Sequence, residues 1–299
     1  MSKTINAVCF GEVLYDIFPN SEKIGGAPLN VASRLSANGI NTSMISSVGK
    51  DEKGKNLLEY LKSRNIDHSL VAETLDFQTG VVTVELDDSG SASYTIEHPA
   101  AWDKIEISAE MIDKVKTTDA FLFGSLVCRD QKSRATLTEL LKHAKFAVFD
   151  INLRPPHYEK EILEDLILKA DFIKFNDDEL YEIAAMFDSP FNSLEQNLSY
   201  MAKITNAKTI CVTKGSHGAV LFTEGNLFYN SGYKIKVADT VGAGDSFLGS
   251  LISKLLQKEE PQKALNYACA IGALVASKEG ANPKFTSEEI EAFMFPDAE

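Results

Sequence analysis

Cysteine is scarce in this sequence: four residues in 299, Cys9, Cys128, Cys211 and Cys269. Each lies tens of residues from the next in apolar surroundings, with no C-x-x-C spacing, which excludes a disulfide framework or a thiolate metal site and leaves reduced core thiols. No run of about 18 apolar residues occurs, and no basic N-terminal stretch leads into one. Neither a spanning helix nor a signal peptide is therefore expected, and the expected location is cytoplasmic. Positive charge is in deficit: 30 Lys and Arg face 43 Asp and Glu, a net charge of -13. Such a surface disfavours nucleic acid and anionic membranes as partners. A nucleotide is still admissible, because backbone N–H groups at a helix start hold phosphate on an acidic protein.

What is present suits a large core, with 44% hydrophobic and 24% charged residues. Short apolar runs at 7–10, 43–48, 120–123, 146–149, 172–175 and 209–213 read as buried strands. Helical patterns separate them at 27–38, 52–64, 131–145, 159–169, 178–187, 245–257 and 262–278. That alternation predicts an α/β fold: a doubly wound, mostly parallel sheet with helices on both faces. Residues 80–97 alternate with period two around Asp87-Asp-Ser-Gly90, a hairpin signature. With no repeat or linker, the chain reads as a single domain over 1–299, with a small discontinuous β-sheet lid from about 12–24 and 69–99.

Two glycine motifs carry chemistry. Asp239-Thr-Val-Gly-Ala-Gly-Asp-Ser-Phe247 runs into a helix, so small residues let backbone amides and the helix dipole converge on an anion. Asp245 is then placed to take a proton from a hydroxyl attacking a phosphoryl group lodged there. The plainer alternative is a tight loop with Asp245 as a simple cap. Gly25-Gly-Ala-Pro-Leu-Asn30 opens a second helix, where Gly25 and Gly26 admit a ligand to the backbone and the Asn30 amide can meet sugar hydroxyls. Asp16, in the apolar stretch Val13-Leu-Tyr-Asp-Ile-Phe18, needs a partner if buried, and a ligand hydroxyl would serve. Arg154 can offset phosphate charge or form a surface ion pair. Asn176 and Glu179, one turn apart, read as a helix cap that can also organise Mg²⁺ through water.

Together these motifs resemble the ribokinase-like (PfkB) carbohydrate kinases along nearly the whole chain. Further marks agree in order: Val48-Gly-Lys-Asp-Glu-Lys-Gly54, Asn176-Asp-Asp-Glu179 and Thr213-Lys-Gly-Ser-His-Gly218. Gly11-Glu12, the Gly-Gly-Ala-Pro form and Asp150-Ile-Asn-Leu-Arg-Pro-Pro156 are most similar to bacterial fructokinases. The resemblance implies a ribokinase-like fold and ATP-dependent phosphorylation of a free sugar, with fructose to fructose 6-phosphate first among the reactions, and with ATP and Mg²⁺. It implies Asp245 as base and Gly242, Ala243 and Gly244 as anion hole, with Arg154 near the transferred phosphoryl. Asp16, Gly25, Gly26 and Asn30 would bind sugar. Asn176, Glu179, Thr213, Lys214, Gly215, Gly218 and Cys269 would line the nucleotide site, Cys269 standing where many fructokinases carry Asn. Asn176 and Glu179 would serve Mg²⁺, and Asp239 would border a monovalent-cation loop that takes K⁺. Within the family, 2-keto-3-deoxygluconate, ribose or a nucleoside are the competing substrates, and a catalytically silent nucleotide- and sugar-binding regulator is the competing class. An exposed lid edge would allow a homodimer.

Other matches fail. Gly49-Lys-Asp-Glu-Lys-Gly-Lys-Asn56 ends in Asn56 where a P-loop needs Ser or Thr for Mg²⁺. Phe247 replaces the third glycine of a dinucleotide fingerprint. No His follows His217, so a Gly-Asp-Ser hydrolase with Ser246 as nucleophile lacks its base.

Overall fold

The computed structural model describes residues 4–86 and 92–296. In chain order the elements are β1 (Asn6–Phe10), β2 (Leu14–Phe18), β3 (Ser21–Gly25), α1 (Ala27–Ala37), β4 (Asn41–Gly49), α2 (Glu52–Ser63), β5 (Asp67–Thr74), β6 (Gly80–Leu86), β7 (Ala92–Ile96), α3 (Ala109–Thr117), β8 (Ala120–Gly124) and α4 (Gln131–Leu141). They continue with β9 (Ala147–Asp150), α5 (Lys160–Lys169), β10 (Phe172–Asn176), α6 (Asp177–Met186), α7 (Leu194–Ile204), β11 (Thr209–Thr213), β12 (Ala219–Thr223), β13 (Asn226–Asn230), α8 (Ala243–Leu256), α9 (Pro261–Ala276) and α10 (Ser287–Met294).

Nine strands form one sheet in the order β13-β12-β11-β10-β9-β8-β1-β4-β5. From β11 to β5 all neighbours are parallel, and β12 and β13 add an antiparallel edge. Side-chain alternation on β1 explains its central place. Val8 and Phe10 join an apolar layer with Phe121, Leu137, Leu163, Ile183 and Leu198. Ala7 and Cys9 join the opposite layer with Leu29, Leu57, Leu251 and Leu265. A strand apolar on both faces is stable only between two helical layers: here α3 to α7 on one side and α1, α2, α8 and α9 on the other. The doubly wound α/β fold is thus present, and all four cysteines are free and buried in it. Among the described residues no helix is long and apolar enough to cross a membrane.

From β1 the chain moves to β4 on one side and later returns to β8 on the other. This reversal opens a crevice at the carboxyl ends of the parallel strands, where ligands of such sheets bind. A separate sheet, β3-β2-β6-β7, stands beside it. Arg129 fastens the end of β7 to the body: it pairs with buried Asp103 at 2.8 Å, stacks on Trp102 and donates to the Ile96 and Glu97 carbonyls.

The lid boundaries expected from the sequence need one correction. Residues 69–74 complete β5 beside β4 in the large sheet. With one neighbour and a half-exposed surface, β5 is too polar to signal a core strand. The Asp87-Asp-Ser-Gly90 turn lies outside the described residues, although β6 and β7 do pair as an antiparallel hairpin. Three short helices, α3, α7 and α10, and the edge strands β12 and β13 also went unanticipated, and α4 stops at Leu141 instead of continuing to 145.

Candidate active site

Helix α8 starts at a position only glycine fits. Gly242 is left-handed (φ 74°) at the N-cap, and a β-carbon there would strike Ala281. The Ala243 N–H donates to the Thr240 carbonyl (3.2 Å), and the helix closes first with the Ser246 N–H on the Gly242 carbonyl (2.8 Å). Helix geometry leaves the Gly244 and Asp245 amides for an outside acceptor. Of the expected anion-hole groups, the Ala243 amide is thus turned inward.

Asp245 lies in that first turn, partly buried. It accepts from Asn30 Nδ2 at 2.8 Å, while Asn30, buried on α1, accepts in turn from Asn282 Nδ2 at 2.7 Å. Loss of hydration, then the negative charge of Asp150, push the Asp245 carboxyl up to about 6, against the Asn30 hydrogen bond and the charges of Lys174 and Arg154. It is ionised at neutral pH yet close to titrating, as a general base should be.

Asp150, at the end of β9, and Lys174, its register partner on β10, form a buried ion pair at 2.8 Å. Burial works against the Lys174 charge, but Asp150, Glu179 and Asp245 hold its proton firmly and raise its pKa. The second Asp150 oxygen is buried without a hydrogen-bond partner. Lys174 is a site residue that the sequence does not single out, since a lysine within a strand carries no motif of its own. Glu12, just after β1, is another: 2% exposed, with one carboxylate oxygen unpartnered and its pKa pushed up to about 7, chiefly by burial. An acid beside Gly11 at the end of the central strand was the available signal.

The predicted cap at Asn176 is present as a reciprocal box: Asn176 Oδ1 accepts from the Glu179 N–H and Glu179 Oε2 from the Asn176 N–H. Glu179 Oε1 accepts from the Leu153 N–H at 2.9 Å, which fixes the loop presenting the exposed Arg154. Both Glu179 oxygens are therefore committed to backbone, and no group of three or more His, Cys, Asp or Glu able to hold a metal occurs among the described residues.

Asp16 on β2 stands opposite Lys23 on β3. Its carboxylate occupies the space a Gly25 side chain would need, so the glycine is what makes room for this acid. Burial raises its pKa, opposed by Arg154 and Lys23. The charge of Arg154 thus acts on Asp16, Glu12 and Asp245 alike, three acids from separate parts of the chain. Asp239 accepts from Lys23 Nζ (3.2 Å), the Gly280 N–H (3.2 Å) and the Val241 N–H (3.0 Å). It clasps the small sheet to the glycine loop more than it offers an open cation ligand.

Beside the start of α8 lies a cavity of about 320 Å³. Thr213, Gly215, Gly218, Cys269, Ala243 and Gly244 meet in its wall, whereas Lys214, Asn176 and Glu179 stand outside the lining. Tyr233, Ile235, Val237 and Phe247 complete an apolar wall whose members share no sequence motif. Burial pushes the Cys269 thiol up to about 12, so it is a neutral wall, not a nucleophile.

A crevice at the strand ends, a glycine-capped helix start with a poised acid, and an adjoining apolar cavity define a phosphotransferase-like α/β protein. The model of the pfkB family of carbohydrate kinases matches residues 4–288, and the chain belongs to that family. Its relatives include a probable fructokinase-7 of Arabidopsis thaliana, 31% identical over 94% of this chain and 89% of that protein. A fructokinase of Vibrio alginolyticus is 28% identical over 91% of this chain and 92% of that one. The likeness thus spans plant and bacterial fructokinases. A fructokinase structure from Xylella fastidiosa with bound ATP matches with TM-score 0.86 at 21% identity, covering 98% of this chain and 99% of that chain.

Proposed function

We propose that this carbohydrate kinase transfers the γ-phosphoryl of ATP to the primary hydroxyl of free fructose, yielding fructose 6-phosphate and ADP. The observation that carries the reading is the setting of Asp245: a carboxylate poised near neutrality at the amide-rich start of α8, oriented by Asn30 and adjoining the nucleotide-sized cavity. Asp245 takes the proton as the sugar oxygen bonds to phosphorus and the bond to the ADP oxygen breaks. The Gly244 and Asp245 amides, Arg154 and Lys174 offset the charge that spreads over the phosphoryl oxygens. Asp16 and Asn30, beside Gly25 and Gly26, bind sugar hydroxyls, and the small sheet acts as a lid that excludes water.

Mg²⁺ bound with ATP would neutralise the triphosphate. The unpartnered Asp150 oxygen fits that ion, directly or through water, whereas Asn176 and Glu179, engaged in their reciprocal cap, support it by holding the loop. A K⁺ ion near Asp239 would rely on backbone carbonyls such as that of Val241. The β7 edge of the small sheet supports pairing of two copies, and light scattering tests that: a monomeric mass rejects it.

Coupled ADP release over fructose, 2-keto-3-deoxygluconate, ribose, mannose and adenosine tests the function. Fastest turnover with fructose supports it, and another best sugar keeps the kinase while discarding fructose. Silence on every sugar despite ATP binding overturns the catalytic reading in favour of a regulator.

A further inference from the structure

A second cavity, of about 400 Å³, opens between α1, the end of α2 and the segment leading into α10. In a chain of net charge -13 its wall is anomalous: Arg34, Arg64 and Lys284 line it and no carboxylate does. Arg34 is 5% exposed, and its Nη2 donates to the Pro283 carbonyl at 3.1 Å. Its Nε is buried with no hydrogen-bond partner, as is the hydroxyl of Ser33 beside it. Arg64 Nη2 donates to the Asn282 carbonyl at 3.2 Å. Among the described residues neither arginine is paired with an acid. Burial lowers the pKa of Arg34, opposed by Tyr267 and reinforced by the charge of Arg64. A buried guanidinium with an idle donor, a second guanidinium beside it and no counter-ion is costly unless an anion completes it.

We propose that this cavity is a second binding site, separate from the nucleotide cavity, for the phosphoryl group of a small phosphomonoester or of free phosphate. Two planar guanidinium forks and an ammonium match a dianion with several acceptor oxygens better than they match a single carboxylate. Asn65 and Ser287 in the same wall supply polar groups for the body of a phosphorylated sugar.

The site also touches the candidate base. The Asn282 carbonyl accepts from Arg64, its side-chain amide donates to Asn30, and Asn30 donates to Asp245. Arginines drawn onto a phosphoryl group loosen their hold on the carbonyls of Asn282 and Pro283, so occupancy alters how Asn30 orients Asp245. This link to turnover rests on the kinase reading above; the binding site does not.

The test is calorimetric titration of inorganic phosphate and of fructose 6-phosphate into the full chain and into Arg64→Gln, Lys284→Gln and Asp16→Asn variants, each checked for an unchanged thermal melt. A cavity site is expected for both probes, beside product binding of fructose 6-phosphate at the sugar site; the cavity site is weakened about tenfold or more by Arg64→Gln, several-fold by Lys284→Gln, and unchanged by Asp16→Asn, which weakens only the product site. Tighter binding of the sugar phosphate identifies it as the ligand, and equal affinities identify free phosphate; either supports the site. No binding of either probe, equal binding in the two cavity variants, or loss of inorganic phosphate binding in Asp16→Asn overturns it. Turnover that does not change while phosphate saturates the calorimetric site overturns the link to Asp245. Silence on every sugar overturns the kinase reading and that link together, while the calorimetry decides the site by itself.

Discussion

Two aspartates stand at helix starts after glycine-containing loops, and they differ in almost everything else. Asp51 caps α2: Oδ1 accepts from the Gly54 N–H (2.8 Å) and the Thr79 hydroxyl (2.7 Å), and Oδ2 accepts from the Thr79 N–H (2.9 Å). Burial pulls its pKa up, but those hydrogen bonds win and hold it below the usual aspartate range. Asp245 has a single side-chain donor, Asn30, and a negative neighbour, Asp150, and is pushed up to about 6. The loop before Asp51 is even the closer match to a phosphate-binding pattern. What sets the two pKa values apart is therefore the number of partners, not the glycines. An acid with every oxygen satisfied has nothing left to offer a substrate.

The sharpest way to break this contrast is substitution at both positions. Asp245→Asn should cut kcat by about 10⁴-fold with KM for ATP little changed, whereas Asp51→Asn should leave kcat within about twofold. Comparable losses in steady-state assays would erase the distinction. Next comes Lys174→Met, which strands Asp150 as a buried, unpaired charge. Urea denaturation should register a loss of about 3–5 kcal/mol. The acid limb of the activity profile should also move to higher pH, since Lys174 helps keep Asp245 ionised. Asp51→Ala removes three hydrogen bonds at a helix cap and should cost about 1–2 kcal/mol by the same denaturation assay.

The smallest effect has opposite signs at the two sites. A raised folded pKa means that the Asp245 charge destabilises the fold above about 6, so Asp245→Asn should melt roughly 2–4 °C higher near pH 8. That gain should fade as pH falls through about 6 to the unfolded aspartate value, below which both forms are protonated. Asp51, with its pKa lowered, contributes stability above the unfolded value and loses it as pH falls through the folded one, so Asp51→Asn should melt lower at neutral pH. Melts of both variants across pH check the crossing.

The central strands were legible because their apolar runs are short, evenly spaced and separated by amphipathic helices. The start of α8 and the glycines before α1 were legible because backbone constraint leaves a mark on sequence. Lys174 was not: its meaning depends on Asp150, 24 residues away, becoming its register partner across two parallel strands. The contact between Asn282 and Asn30 spans 252 residues and has no local pattern at all. The strand β5 was hidden for a different reason, since an edge position lets it remain polar. Backbone geometry, in short, is written locally, whereas electrostatic environment is assembled from distant segments.

The titration of Asp245 decides most directly whether it serves as the base. The pH dependence of kcat/KM for the sugar, with ATP saturating, should fall on the acid side with an apparent pKa near 6, and the limb should persist in Glu12→Gln, which removes the carboxyl pushed up to about 7. A profile flat down to the ordinary aspartate range, or a limb that vanishes with Glu12→Gln, would contradict it.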